Sequence, residues 1–330
     1  MNKQGMKPIE TEHMRFIQEA LIGAADIAKH NFGKVVSIET KDFDNNQVLT
    51  ETDLEIGKFI VQCIQETYPT HNIINEESGV IDKLPRAKSP RYCSKSLHER
   101  SKVTQELGSM YSLAPHPRTD SPRYSASEYK QSEYTWVIDP IDGTSNFASG
   151  VSTFGIIIGL IHKDRAVAGG VALPMFSEIY VAEKGKGAYC NGQRMSVTKE
   201  KNLKSVLVGY SIDGHQEDPK ITRDECEILA DIVLGCRNLR TSGSAFDAMM
   251  VAKGNYGAYH HRNTKIWDVV GIQAIIEEAG GLFTDFFGNP IDYTNHVQKI
   301  QKELTTKFPF CTAAPELHRQ LQEIIHKERH

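Results

Sequence analysis

Between residues 11 and 31, Met14, Ile17, Leu21, Ala24, Ile27 and Ala28 return at intervals of three and four, the spacing that gathers side chains on one face of a helix. Residues 34 to 40 and 47 to 52 read as the two strands of a hairpin, with Asp44-Asn45-Asn46 as its turn. Asp53 opens a second helical pattern in which Ile56, Phe59, Ile60, Cys63 and Ile64 share a face. A short apolar run at 72 to 75 ends in Glu76-Glu77. Strand patterns return at 136 to 138, 154 to 162, 166 to 172 and 179 to 182, and in the second half near 205 to 210, 237 to 241, 257 to 260, 281 to 285 and 308 to 312. Helical patterns lie between them near 222 to 235, 244 to 253 and 267 to 279, with a last one from Pro315, a residue suited to a first helical turn. Strands alternating with helices predict a layered α+β or α/β fold, sheets covered by helices.

Composition narrows the field without naming a chemistry. The chain has 330 residues, a hydrophobic share of 39% and a charged share of 24%, enough for one large domain or two joined subdomains with a substantial core. A formal charge of -4 offers no general attraction to nucleic acid or to an anionic membrane, and no apolar run is long enough to span a bilayer. The opening residues MNKQGMKPIETEH hold no apolar signal core. Cys63, Cys93, Cys190, Cys226, Cys236 and Cys311 are scattered without CxxC spacing, which predicts reduced thiols in a cytoplasmic protein rather than a disulfide frame or a zinc site.

One stretch breaks the rhythm. Residues 83 to 132 hold five prolines and ten serines, with ten Lys and Arg against four Asp and Glu and few aliphatics. Such a segment has too little apolar surface to order itself, so an extended basic surface insertion is expected there. It is the one part of the chain with the charge to contact nucleic acid.

The chemistry gathers where apolar runs meet acids. In WVIDPIDGTSNF, residues 136 to 147, an apolar run abuts two aspartates three positions apart, followed by Gly143-Thr144-Ser145. Asp53, Glu76, Asp139, Asp142 and Asp268 each stand where a strand pattern ends or a helix pattern begins, and in layered folds those ends converge on clefts. Converging carboxylates repel one another and raise each other's pKa values unless a hard divalent cation sits among them. Asp139 and Asp142 can approach one metal cluster from two sides, with the Ile141 carbonyl as a further ligand. Gly143 permits a tight turn, and Thr144-Ser145-Asn146 can begin a helix whose free amides bind an anion. Metals beside a phosphate cradle imply phosphoryl transfer to water.

VLTETD at 48 to 53, NEES at 75 to 78, WVIDPIDGTSNF and WDVVGIQAIIEEAGG from 267 together resemble the inositol monophosphatase family of lithium-sensitive, magnesium-dependent phosphatases. GKGAYCNG at 185 to 192 and GSAFDAMMVAKG at 243 to 254 extend the resemblance over nearly the whole chain outside the insertion. It implies an αβαβα sandwich of the type shared with fructose-1,6-bisphosphatase. An N-terminal α+β subdomain (1–190) would carry most metal ligands and a C-terminal α/β subdomain (191–330) would carry Asp268 and the substrate side. Glu76, Asp139 and the Ile141 carbonyl would hold a first magnesium; Asp139, Asp142 and Asp268 a second; Glu76 and waters a third, weaker one. Thr144, hydrogen-bonded to Asp53, would orient and deprotonate the attacking water. Gly143, Thr144 and Ser145 would cradle phosphate, and Gly243, Ser244 and Ala245 match a substrate-contacting helix start. The resemblance further implies a homodimer acting on a small phosphorylated substrate.

Three departures bear on substrate. The glycine that usually precedes the paired glutamates is Asn75. His261 stands where typical members have a glutamate that receives inositol hydroxyls, and with His260, Arg262 and Lys265 nearby the pocket rim is expected to be basic. The insertion follows Glu76-Glu77, where a family loop borders the metal site. The expectation is hydrolysis of a phosphate monoester, with myo-inositol 1-phosphate first. Fructose 1,6-bisphosphate, 3'-phosphoadenosine 5'-phosphate or histidinol phosphate are the alternatives within the superfamily, and a regulatory RNA- or protein-binding module on a phosphatase fold is the alternative of another class.

Overall fold

The computed structural model describes residues 11–34, 38–41, 44–81, 132–216 and 218–327. Helix α1 (Glu12–Asn31) is capped by Thr11, whose hydroxyl accepts the Met14 amide at 3.2 Å. Strands β1 (Ile38–Lys41) and β2 (Asp44–Thr50) form an antiparallel pair. Lys41 pairs with Asp44, so the Asp44-Asn45-Asn46 expected as the turn instead begins the second strand. Helix α2 (Glu51–Thr67) starts directly afterwards, with Thr50 and Asp53 forming a capping box at its first turn.

An eight-stranded sheet comes next in the chain. It comprises β3 (Asn72–Asn75), β4 (Gly79–Ile81), β5 (Tyr134–Asp142), β6 (Gly155–His162), β7 (Arg165–Leu173), β8 (Glu178–Glu183), β9 (Gly187–Cys190) and β10 (Gln193–Arg194), with the short helix α3 (Thr144–Ala148) after β5. The order is β10-β9-β8-β7-β6-β5-β3-β4; β3 and β5 run parallel and the other neighbours antiparallel. The remaining elements are β11 (Leu207–Ser211), α4 (Pro219–Gly235), β12 (Asn238–Arg240), α5 (Ala245–Ala252), β13 (Ala258–His261), α6 (Ile266–Glu278), β14 (Leu282–Asp285), α7 (His296–Lys302), β15 (Phe310–Ala313) and α8 (Pro315–Ile325). Their five strands form a second mixed sheet in the order β12-β11-β13-β15-β14.

Five layers result. Helices α1 and α2 pack on the outer face of the large sheet, α5 and α6 lie between the sheets, and α4 and α8 pack together on the far side of the small one. The near-continuous apolar run of β6 follows from this, because both faces are covered. Ile156, Ile158 and Leu160 enter the core under α1 and α2, whereas Ile157 and Ile161 enter the core between the sheets.

Helix α6 rides on the sheet backbone itself. A Cβ on Gly159 would lie 2.6 Å from Val270 Cγ1, one on Gly169 would lie 2.4 Å from the Gly271 carbonyl oxygen, and one on Gly271 would lie 2.7 Å from Ile157 Cγ2. Only glycines permit this approach. Cys63, Cys190, Cys226, Cys236 and Cys311 are free thiols. Cys93 and the insertion expected at 83–132, Ser132 excepted, lie outside the described residues.

Candidate active site

The acidic signature sits at the C-terminal end of β5. That strand does not stop at Ile138 as its apolar pattern suggests: it runs to Asp142, and its register with β6 shifts between Asp139 and Asp142. Asp139 pairs with Ile157 and Asp142 with Gly155, so one extra residue is accommodated where Pro140 supplies no ladder amide. The bulge breaks the strict alternation that would otherwise fix the two carboxylates to opposite faces. Asp268 arrives from the first turn of α6, where its Oδ2 accepts the Lys265 amide at 2.6 Å. Asp139, Asp142 and Asp268 each offer an oxygen, all within 4.8 Å of one another. Glu76 follows β3 and is tied to β5 by its amide, 3.1 Å from the Ile138 carbonyl. It stands outside the tight trio, but its charge acts on Asp53, Asp139, Asp142 and Asp268.

The electrostatics show what this arrangement costs. Burial, reinforced by the charges of Glu76, Asp142 and Asp268, holds the Asp139 carboxyl well above its usual range. Burial and the charge of Asp268 push Asp142 up to about 7, against the opposing Ala245 amide and His261. Burial and the charge of Glu76 push Asp268 up to about 6. Asp139 Oδ1 is buried with no hydrogen-bond partner among the described residues. Hard oxygens crowded together, one of them without a donor, fit a hard divalent cation.

Beside the trio, Asp53 sits in the first turn of α2. Its Oδ2 accepts the Thr50 amide at 2.9 Å and also the Thr50 hydroxyl. Its Oδ1 lies 3.2 Å from Thr144 Oγ1. The Thr144 hydroxyl is also 2.8 Å from the Ile141 carbonyl, so its one proton serves either acceptor. Burial raises the Asp53 pKa to about 6; the Thr50 hydroxyl opposes the rise and the Glu76 charge adds to it. Gly143 precedes α3 at φ 81°, and a Cβ there would lie 3.0 Å from Ser244 Cβ. The first-turn amides after it have no intrahelical acceptors.

The other expected contacts are more occupied. The Ser244 hydroxyl accepts the Phe246 amide and donates to the Thr153 carbonyl at 3.0 Å. The Ala245 amide donates to Asp142 Oδ2, so this helix start holds a carboxylate of the trio. Gly243, at φ 70°, precedes them. His261 ends β13 with Nε2 3.2 Å from Asp213 Oδ2, and its charge acts on Asp142 and Asp268. Strand alternation sends His260 to the opposite face, fully buried, where desolvation and the charge of His318 lower its pKa to about 3. The Arg262 guanidinium lies 4.8 Å from the centroid of the Phe286 ring. His260, neutral and on the opposite face, does not contribute to the basic rim expected from the run of cations. Asp213 escaped the sequence reading because it lies two residues past β11 with no pattern of its own. Its one signal is the Asp213-Gly214 step shortly after a strand parallel to β13.

Clustered carboxylate oxygens beside a helix start whose first amides lack intrahelical acceptors are groups that can hold a divalent cation and an anion side by side. The chain belongs to the inositol monophosphatase family, whose sequence profile matches residues 10–328. It is 30% identical over 249 residues to human inositol monophosphatase 1, covering 74% of this chain and 73% of the relative. It is 26% identical over 294 residues to the Nus factor SuhB of Pasteurella multocida, covering 87% and 92%. It is also 26% identical over 275 residues to a fructose-1,6-bisphosphatase/inositol-1-monophosphatase of Aquifex aeolicus, covering 83% and 85%. Among solved structures, an IMPase from Thermotoga maritima superposes with a TM-score of 0.70 at 21% identity, over 96% of this chain and 97% of that one. Among the described residues no helix is long and apolar enough to cross a membrane.

Proposed function

We propose that the protein is a magnesium-dependent phosphatase of small phosphate monoesters, with myo-inositol 1-phosphate as its leading substrate. The observation that carries this reading is the meeting of the Asp139, Asp142 and Asp268 oxygens within 4.8 Å beside the Asp53–Thr144 pair. Asp139, Asp142 and Asp268, with Glu76 and the Ile141 carbonyl, would hold the cations. When bound, these supply the positive charge that acidifies the attacking water and stabilises the leaving oxygen. The Thr144 hydroxyl orients the water and Asp53, with its pKa near 6, accepts the proton through it. The amides following Gly143 hold the phosphate oxygens, with Ser145 beside them. Gly243, Ser244 and Ala245 would form the substrate-side helix start, with the Ala245 amide also holding Asp142.

The division into units of 1–190 and 191–330, with the cleft between them, belongs to this reading, as do a homodimer, lithium inhibition and a cytoplasmic location. Free thiols at five cysteines support the last. The test is phosphate release with magnesium, with and without lithium, from inositol 1-phosphate, fructose 1,6-bisphosphate, 3'-phosphoadenosine 5'-phosphate and histidinol phosphate. Lithium-sensitive release led by the inositol ester is expected; no release from any of them would end the phosphatase reading. A second reading, a regulatory module that binds RNA or protein, rests on the relatives named Nus factor SuhB. Salt-sensitive RNA binding lost on deleting 83–132, without phosphatase activity, would favour it.

A further inference from the structure

His261 has no nitrogen to spare for a substrate. Its Nε2 lies 3.2 Å from Asp213 Oδ2, and its Nδ1 lies 3.4 Å from the Tyr259 hydroxyl, which in turn is 2.8 Å from Ser211 Oγ. The ring is held at both ends by the protein. Asp213 is differently placed. Its side chain keeps 36% of its surface exposed against 17% for His261, and a carboxylate has about four acceptor positions, of which the imidazole fills one. The Asn263 side chain fills another.

The pair has no net charge when His261 is protonated. The exposed member is therefore an acceptor, beside a ring close enough to act electrostatically on Asp142 and Asp268. Resting on the phosphatase reading above, we propose that Asp213, held in position by His261, is the specificity-determining acceptor of this site. It takes hydroxyl groups of an uncharged polyol carrying a single phosphate and rejects a second phosphate. The carboxylate absent from position 261 is thus supplied from the end of β11, and His261 is a positioning residue for it. A hydroxyl donates to the remaining acceptor positions of Asp213 at little cost, whereas a second phosphate has no proton to give them and leaves both groups desolvated and unpaired.

The test is kcat/KM of the full chain with magnesium on myo-inositol 1-phosphate, fructose 1,6-bisphosphate and p-nitrophenyl phosphate, the last having no hydroxyl to offer. Asp213→Ala is expected to lower the ratio of inositol 1-phosphate to p-nitrophenyl phosphate by about tenfold or more, carried by KM, the loss of one charged hydrogen bond. Adding His261→Glu to that variant is expected to restore most of the ratio, because a carboxylate returns to the same pocket; a merely structural role for Asp213 would show no such rescue. A ratio moved less than about twofold overturns the assignment. So does a wild-type preference for the bisphosphate that survives Asp213→Ala, which would give the pocket to an anion instead. Absence of turnover on every ester, p-nitrophenyl phosphate included, overturns the phosphatase reading and this one with it. Turnover of p-nitrophenyl phosphate with a flat ratio overturns only the role of Asp213.

Discussion

Thr144 and Asp53 are separated by 91 residues and brought together by a contact of 3.2 Å between hydroxyl and carboxylate. One begins the helix after the β5 bulge and the other lies in the first turn of α2, so two independent elements aim them at each other. Asp53→Asn and Thr144→Val are each expected to lower kcat by about 10²- to 10⁴-fold, with little change in KM. Thr144→Ser, which keeps the hydroxyl, should retain most of the rate. The double variant should be scarcely worse than either single one, because the two act as a unit; steady-state kinetics decides this, and independent, multiplying losses would separate their roles.

Asp142 should trade activity against stability. Asp142→Asn keeps an oxygen to accept the Ala245 amide but removes one of the mutually repelling charges. Turnover should nearly vanish. The metal-free variant should nonetheless be more stable than metal-free wild type at pH 8, by on the order of 1–3 kcal/mol. Denaturant unfolding in a chelator measures it; a less stable variant would mean that the carboxylate is compensated without a cation.

The pH dependence of the metal-free protein follows with a definite sign. Asp268 and Asp53 are pushed up to about 6 and Asp142 to about 7, from the usual aspartate value of 3.8. The folded state binds these protons more tightly than the unfolded one. Their contribution is thus complete below pH 4 and lost as pH rises through 6 to 7. In a chelator, melting temperature should therefore gain a falling component across that window. Magnesium should raise it more at pH 8 than at pH 5, and equal gains at both would contradict the crowding of the carboxylates.

His260 makes a prediction away from the chemistry. It is fully buried, and neither ring nitrogen has a hydrogen-bond partner among the described residues. Replacing it by leucine, of similar volume, removes two desolvated polar atoms. His260→Leu is expected to stabilise the protein by about 1–2 kcal/mol in urea unfolding, with kcat unaltered.

Gly271→Ala should act on both stability and metal. The added carbon would lie 2.7 Å from Ile157 Cγ2 and 2.8 Å from the Ile158 carbonyl oxygen, so α6 must lift from the sheet. A loss of about 1–3 kcal/mol is expected, the ordinary cost of overpacking. Because Asp268 rides on the same helix, the magnesium concentration for half-maximal activity should rise as well; titration of activity against magnesium reads the second effect.

The layers were legible from the spacing of apolar residues, since helices such as α1 and α2 bury one face and strands such as β6 bury two. The trio of Asp139, Asp142 and Asp268 was legible because its members sit at the junctions of those patterns. What the pattern missed depended on pairing across the chain. The continuation of β5 to Asp142 needs β6 as a partner, and β9, β10 and the β4 edge are too short to show a period. The separation of His260 from His261 needs the pleat of β13 with its neighbours on both sides. Asp213 depends on β11 and β13 lying side by side, a relation that no local run of residues announces.

The glycine contacts beneath α6 carry an implication for how this molecule tolerates sequence drift. Where the α6 backbone comes this close to strand backbone, few rotamers lie between to yield or to be exchanged, so the placing of Asp268 against the β5 bulge depends on close packing more than on side-chain choice. Isoleucines and valines elsewhere in the two cores can trade methyl groups without moving the ligands apart. Chains that have diverged at most positions can therefore keep the same spacing of the three carboxylates, provided three residues remain without side chains.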